Sequence, residues 1–317
     1  MTRSTTFDVI AFGETMAMMV ADDPGELAEV TRFTKRIAGA DNNVAIGLAR
    51  LGLTVGWVSR VGDDSFGRFI RQTLAGEGLD VSRLSTDERY PTGFQLKSRR
   101  DDGGDPAVEY FRRGSAASHM GPEDVPESLL SSARHLHCTG IPPALGEGPL
   151  ALSEHAMKTM RRVGGSVSFD PNLRPSLWKD RETMRHHLNR LASLADVVLP
   201  GLSEGEILTG ESTPQGVAEF YLSQGVREVV IKLGPEGAWY QNDSTGFMVP
   251  GVKVDRVVDT VGAGDGFATG FVSAWLEGLP AEQCVARANQ IGAFAVQASG
   301  DMEGLPTRDA LERAMSS

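Results

Sequence analysis

The segment "VVDTVGAGDGFATGF" (257–271) holds the strongest chemical signal in the chain. Gly262, Ala263 and Gly264 form a turn that opens a helix. Their backbone N–H groups stand at its N-terminus, where the dipole favours an anion. A phosphoryl group in flight gains charge on its oxygens, and preoriented amides stabilise that charge without reorganising. Asp265, one residue further on, would repel a static phosphate. It makes sense facing a hydroxyl that attacks phosphorus and must lose a proton. The same residues would also serve a plain capped helix, with Asp265 favoured in the first turn by the dipole. The pattern is not a Walker loop, since G-x-x-x-x-G-K-[ST] occurs nowhere. It is not G-x-G-x-x-G either, because Phe267 stands where the third glycine belongs.

Other candidates fail on position. "GLSEG" (201–205) has the form of a nucleophile elbow, but that chemistry needs a histidine after the serine, and all six histidines precede Ser203. His135 and His137 in "HLHC" share one face of a strand without a further Cys/His cluster, which reads as packing rather than zinc.

The elements that must position these residues alternate for most of the 317-residue chain. Apolar runs at 7–13, 54–62, 133–138, 166–170, 195–200 and 226–234 read as strands. The stretch 42–52 reads as a helix with an asparagine cap and a closing glycine, and 64–78 as another. This is the pattern of an α/β fold with a mostly parallel sheet. Two stretches, 13–36 and 90–113, break the rhythm. They carry strand-like segments around a "DDGGD" turn and read as a small antiparallel β unit. Ligands of such sheets bind at the carboxyl ends of the strands, which puts Gly13, Glu14, Gly39, Asp170 and the 257–265 loop on one rim.

Composition bounds the partners. A formal charge of −11 argues against nucleic acid and anionic membranes, so a phosphate site must be built locally. Two cysteines, no signal-peptide-like start and no long apolar run read as a cytoplasmic protein.

"DTVGAGDGF" (259–267), "AGADNNVAIGLARLG" (38–52) and "VGDDSFG" (61–67) together resemble the signatures of the ribokinase-like (PfkB) carbohydrate kinases. The resemblance runs over essentially the whole chain. It implies a three-layer α/β/α domain whose insertions, about 14–36 and 88–116, form a β-sheet lid over a sugar. It also implies ATP as phosphoryl donor with Mg²⁺, and a monovalent cation such as K⁺ beside the anion hole, with Asp259 as its candidate ligand. On this resemblance Asp265 is the base, Gly262–Gly264 the anion hole and Asn43 a sugar contact, while Lys232, Gly234, Gly237 and Asn289 fall to the nucleotide. Many members carry N-x-x-E where this chain has Gly201 to Glu204, so only Glu204 remains to support the metal through water. The lid of such kinases often doubles as a dimer interface, which implies a homo-oligomer.

The substrate reading rests on "FDPNLRPSLW" (169–178) and "EYFRRGSAAS" (109–118). Arg112 and Arg174 suit a carboxylate, which a neutral hexose lacks; the alternative is that both are surface or ion-pair residues. Tyr90 and Tyr110 offer rings and hydroxyls, and Gly39 a close backbone approach. The set is similar to that of 2-keto-3-deoxygluconate kinases. A fructokinase-like neutral-sugar kinase shares "DPNLRP" and stands as the alternative. A non-catalytic sugar-binding regulator on the same fold would have no need of Asp265.

Overall fold

The computed structural model describes residues 5–100 and 106–316. The "DDGGD" turn at 101–105 lies outside them. In chain order the strands are β1 (Phe7–Phe12), β2 (Met16–Pro24), β3 (Phe33–Ala38), β4 (Val55–Gly62), β5 (Asp80–Asp87), β6 (Phe94–Arg99), β7 (Val108–Phe111), β8 (Ala133–Thr139), β9 (Ser166–Asp170), β10 (Val197–Val198), β11 (Glu228–Lys232), β12 (Gly237–Asn242) and β13 (Gly246–Pro250). The helices are α1 (Ala40–Arg50), α2 (Ser65–Gly76), α3 (Glu127–Ser131), α4 (Glu147–Arg162), α5 (Arg181–Ala192), α6 (Leu202–Thr209), α7 (Pro214–Ser223), α8 (Ala263–Leu276), α9 (Ala281–Ala295) and α10 (Arg308–Met315).

Nine strands form the main sheet in the order β13-β12-β11-β10-β9-β8-β1-β4-β5. Pairing is parallel from β10–β11 through to β4–β5 and antiparallel only in β11–β12–β13. Strand β1 shows why the sheet is covered on both sides. Its alternate residues Val9 and Ala11 enter one apolar cluster, with side chains of α1, α2, α8, α9 and α10. Ile10 and Phe12 enter the other, with α3 to α7. A strand buried on both faces reads as a continuous apolar run, as "FDVIAF" does.

A separate four-stranded sheet, β3-β2-β6-β7, is built from the two irregular stretches. It is mixed rather than antiparallel, because β2 and β6 run parallel. The two strands come from segments far apart in the chain, so no hairpin dictates their relative direction.

Other departures have local causes. Helix α1 starts at Ala40 with Gly39, at φ 154°, as its N-cap. The asparagines lie in its first turn and are buried. The side chain of Asn42 donates to Asn43, and that of Asn43 reaches Asp265, so neither caps the helix. Gly52 does close the helix, at φ 89°. The strand expected at 195–200 shortens to Val197–Val198. Strand β5 and the β12–β13 hairpin were not foreseen, since β5 is a polar edge with Leu84 as its one buried side chain. "NDS" (242–244) is part of the hairpin turn, where the Asn242 side chain accepts from the amides of Ser244 and Thr245.

The helix glycines separate packing from propensity. A Cβ on Gly270 of α8 would lie 2.6 Å from the Cα of Ala288 on α9, whereas nothing lies within 4 Å of one on Gly76 of α2. Gly270→Ala is therefore expected to lose about 1–3 kcal/mol through overpacking. Gly76→Ala should gain roughly 0.4–1 kcal/mol through reduced unfolded-state entropy. Urea midpoints of the two variants check the opposite signs.

Candidate active site

The turn before α8 is shaped by close packing. Gly262 caps the helix in the left-handed region at φ 81°, and a Cβ there would meet the Asp301 carbonyl oxygen at 2.4 Å. The chain can turn there only because the residue is glycine. This geometry delivers Asp265 into the first helical turn as a buried side chain. Asn43 Nδ2 donates to its Oδ2 at 2.8 Å, and Asn172 Nδ2 to its Oδ1 at 3.3 Å. Asn172 adopts φ 38°, the one non-glycine positive φ among the described residues. Burial pushes the Asp265 pKa up to about 7. The Asn43 hydrogen bond opposes that rise, and the nearby Asp170 charge adds to it.

Two cavities meet at this turn. One, of about 460 Å³, lies between the small sheet and the carboxyl ends of the main strands. Gly39, Asn43, Tyr110, Arg112 and Arg174 line it, as do Glu204, Gly262 and Asp265. The other, of about 380 Å³, is mostly apolar, with Pro235, Val252, Phe267 and Val296 on its wall. Gly234, Gly237, Ala263 and Asn289 also line it. Lys232, Thr260 and Gly264 belong to both. Each volume suits a small molecule.

Several expected residues have partners of their own. Arg112 is paired with the buried Glu14 through Nε at 2.6 Å and Nη2 at 2.5 Å. Arg174 is exposed and donates to the Leu173 carbonyl. Among the described residues it is paired with no carboxylate. Glu204 accepts from the amides of Leu173 and Gly201 at 2.7 and 2.8 Å, the second bond tying its side chain back to the N-terminus of α6. Lys232 Nζ lies 2.6 Å from Asp170 Oδ2. Burial works against the Lys232 charge, but Asp170 and Glu204 outweigh it and raise its pKa. Asn289 Nδ2 donates to the carbonyls of Val249 and Pro250, fastening α9 to the end of β13. Asp259 lines neither of these two cavities, and nor does Tyr90. Tyr90 stacks on His119 with ring centroids 3.5 Å apart, because the turn after β5 directs it there. His135 and His137 bond to Ser166 and Ser168 within the sheet.

Four residues of the site were not foreseen: Asp41, Lys97, Asn172 and Asp301. Lys97 is buried on β6, with Nζ 2.8 Å from Asp259 Oδ2 and 3.1 Å from Asp301 Oδ1. Burial opposes its charge, and the pull of Asp301 and Asp259 more than restores it. Asp41 and Asn172 stand inside stretches that attracted notice, "AGADNNVA" and "DPNLRP". Nothing in the strand pattern of "TGFQLKSRR" or in "SGDMEG" marks Lys97 or Asp301 as inward-facing.

A buried carboxylate beside a helix N-terminus, between a polar cavity and an apolar one, suits a phosphotransferase acting on a hydroxyl. The model for pfkB family carbohydrate kinase matches residues 6–308. The chain belongs to that family and is a carbohydrate kinase. It is 52% identical over 310 residues to the 2-dehydro-3-deoxygluconokinase of Bacillus subtilis, covering 98% of this chain and 95% of that one. The enzyme of the same name from Thermoproteus tenax is 36% identical, with 94% and 91% covered. The fold matches a PfkB protein from Polaromonas sp. JS666 at TM-score 0.90 and 52% identity, covering 97% and 99%. It also matches an E. coli protein assigned as ribokinase II, in complex with ATP and Mg²⁺, at TM-score 0.89 and 28% identity, covering 98% and 99%. A double mutant of Vibrio cholerae fructokinase, with fructose, ADP and potassium bound, matches at 0.85 and 29%, covering 98% of each chain.

Asp41 has a consequence for stability. Its carboxyl is buried beside the polar cavity, and Oδ1 has no hydrogen-bond partner among the described residues. Burial raises its pKa to about 8. A Thr139 hydrogen bond opposes the rise, and the Asp265 charge adds to it. A carboxyl whose folded pKa exceeds its unfolded value of 3.8 stabilises the fold while protonated. That contribution fades as pH climbs from about 4 through 8. The Tm of the wild type should therefore fall relative to that of Asp41→Asn across this window. Parallel melting curves from pH 5 to 9 would refute the assignment.

Proposed function

We propose that this kinase transfers the γ-phosphoryl group of ATP to the primary hydroxyl of 2-keto-3-deoxygluconate, giving the 6-phosphate. The observation that carries the reading is the meeting of a polar and an apolar cavity at Asp265 and the Gly262–Gly264 turn. The sugar acid occupies the polar cavity and the nucleotide the apolar one, with the adenine against Val252 and Val296. A carboxylate holding a pKa near 7 is a base matched to neutral pH. Asn43 and Asn172 fix its two oxygens, so it meets the attacking hydroxyl in one orientation. Asp265 takes the proton as oxygen attacks phosphorus, and the amides of the turn and the helix dipole receive the charge that develops. Lys232, shared by both cavities, faces the transferred group.

Among the described residues no cluster of three or more His, Cys, Asp or Glu side chains could by itself hold a metal. That fits Mg²⁺, which keeps several waters and is bound largely through nucleotide phosphates. Glu204, which lines the polar cavity, would reach its water shell, and the ion would supply charge neutralisation. Asp259 is a poorer host for a monovalent ion. Its Oδ1 accepts from Val261 and its Oδ2 from Lys97, which leaves neither oxygen unpartnered.

The small sheet, residues of 14–36 and 88–116, acts as a lid that excludes water from the reacting groups. Tyr110 and Phe111 on β7 are exposed, 52% and 47%, and support packing against a second copy. No helix among the described residues is long and apolar enough to cross a membrane. Both cysteines are buried and unpaired, which supports a cytoplasmic setting.

The specificity reading rests mainly on Arg174, since Arg112 already neutralises Glu14. That pairing is the observation that favours the alternative, a neutral sugar such as fructose. The two readings divide on Arg174→Ala. Loss of a hydrogen-bonded charge contact is worth about 1.5–3 kcal/mol, or roughly 10–100-fold. KM for the keto-deoxy acid should rise by that factor with fructose little affected, and equal effects on both would favour the neutral sugar. Asp265→Asn should keep substrate binding and lower kcat by about 10²–10⁴. In the wild type kcat/KM should rise with pH to a plateau, with a midpoint near 7, because only the deprotonated carboxylate accepts the proton. A flat profile in a coupled ADP-release assay, or undiminished turnover in the variant, would remove Asp265 from the role of base.

A further inference from the structure

Lys97 stands at a junction that the phosphotransfer reading leaves unexplained. It lies on β6 of the small sheet, beside Val20 of β2 and Val108 of β7, and is only 4% exposed. Its ammonium contacts two carboxylates on different segments. Asp259 precedes the glycine turn, and its other oxygen accepts from Val261 at 3.0 Å. Asp301 follows α9, and its carbonyl oxygen is the atom that a Cβ on Gly262 would strike. One cation therefore ties the small sheet to both sides of the turn that aims Asp265. Two carboxylates this close need a positive charge between them, and a buried carboxylate stripped of its partner is strongly destabilising.

We propose that Lys97 is a positioning residue that serves as a tethered monovalent cation. It fills the place at Asp259 where a free potassium ion is expected, holds the glycine turn in its anion-binding shape, and makes turnover independent of added K⁺. The inference rests on the phosphotransfer reading of the site and is indifferent to which sugar is bound. It differs from a purely structural lysine in one respect. Removing the side chain leaves a cavity with two carboxylates that a small cation can enter, and a hydrophobic truncation elsewhere would leave nothing of the kind.

The test uses the full-length protein in potassium- and sodium-free buffer, with KCl, NH₄Cl and choline chloride compared at matched ionic strength. Melting temperature is read alongside ADP release. For the wild type the expected Tm is the same in all three salts, and kcat agrees within about twofold. Lys97→Ala should melt lower and lose about 10²-fold in kcat, the scale of a misplaced catalytic group. Both losses should recover in part with K⁺ or NH₄⁺ and not with choline, whose bulk keeps it out. Lys97→Arg should retain the cation independence. A wild-type Tm or rate that climbs with K⁺ over choline would overturn the proposal, as would a Lys97→Ala variant that responds to all three salts alike. If Lys97→Ala fails to fold, the wild-type salt series still decides. If no sugar is turned over, the phosphotransfer reading fails on its own, while the melting curves of the variant still test the cation site.

Discussion

The constraint on which the rest of the structure depends is the burial of negative charge around one helix N-terminus. Asp41, Asp170, Asp265 and Asp301 are all less than 9% exposed, and they crowd the same rim in a chain that is already acidic overall. Carboxylates taken out of water and set near one another cannot all ionise at little cost. The fold answers in three ways. Lys97 and Lys232 supply compensating charge, Asn43 and Asn172 supply donors, and Asp41 and Asp265 are pushed toward protonation near neutrality. The last of these bears directly on the proposed chemistry. The desolvation that makes Asp265 expensive to ionise is also what raises it to the pH at which a proton acceptor works best.

That crowding follows from the topology. In a parallel sheet the strands deliver their carboxyl ends to one edge, so β1, β9 and β11 bring Glu14, Asp170 and Lys232 to one rim from distant parts of the chain. Helices α1 and α8, packed on one face of the sheet, point their N-termini there and add Asn43 and Asp265. The small sheet covers the rim and adds the buried pair Arg112–Glu14 and the Lys97 triad. A basic residue on the cover meeting an acidic one on the body is a physical latch. Its strength derives from the low dielectric that the cover itself creates.

The sequence made some of this legible and left the rest unreadable, for identifiable reasons. Fully buried strands such as "FDVIAF" and "SVSFD" announce themselves by composition, and the turn at 262–264 announces itself by glycines that the backbone geometry requires. Interactions across the chain leave no such trace. Lys97 sits 162 residues from Asp259 and 204 from Asp301, and in the one-dimensional pattern it is merely a charged residue in a polar-looking strand. Tyr90 was misplaced for the same reason in reverse. Its aromatic character suggested a sugar platform, but the turn after β5 gives it His119 as a partner. The parallel pairing of β2 with β6 was likewise invisible, because direction in a sheet made from separate segments is fixed by tertiary packing rather than by any turn.

The two lysines divide the electrostatic work of the site. Lys97 is closed in by its carboxylates and has the character of a permanent strut. Lys232 has one partner, Asp170, and lines both cavities, so on the proposed assignment its ammonium would turn from a carboxylate to an arriving phosphate. Such an exchange trades one ion pair for another, and the desolvation of the ammonium has already been met in folding. It also frees Asp170, whose charge bears on Asp265. Without Lys232, Asp170 holds a proton more tightly, and a proton there removes the charge that raises Asp265, so the two carboxyls share their titration. On the proposed assignment, phosphate binding in one cavity would thereby be coupled, through a single lysine, to the proton affinity of the carboxylate that faces the other.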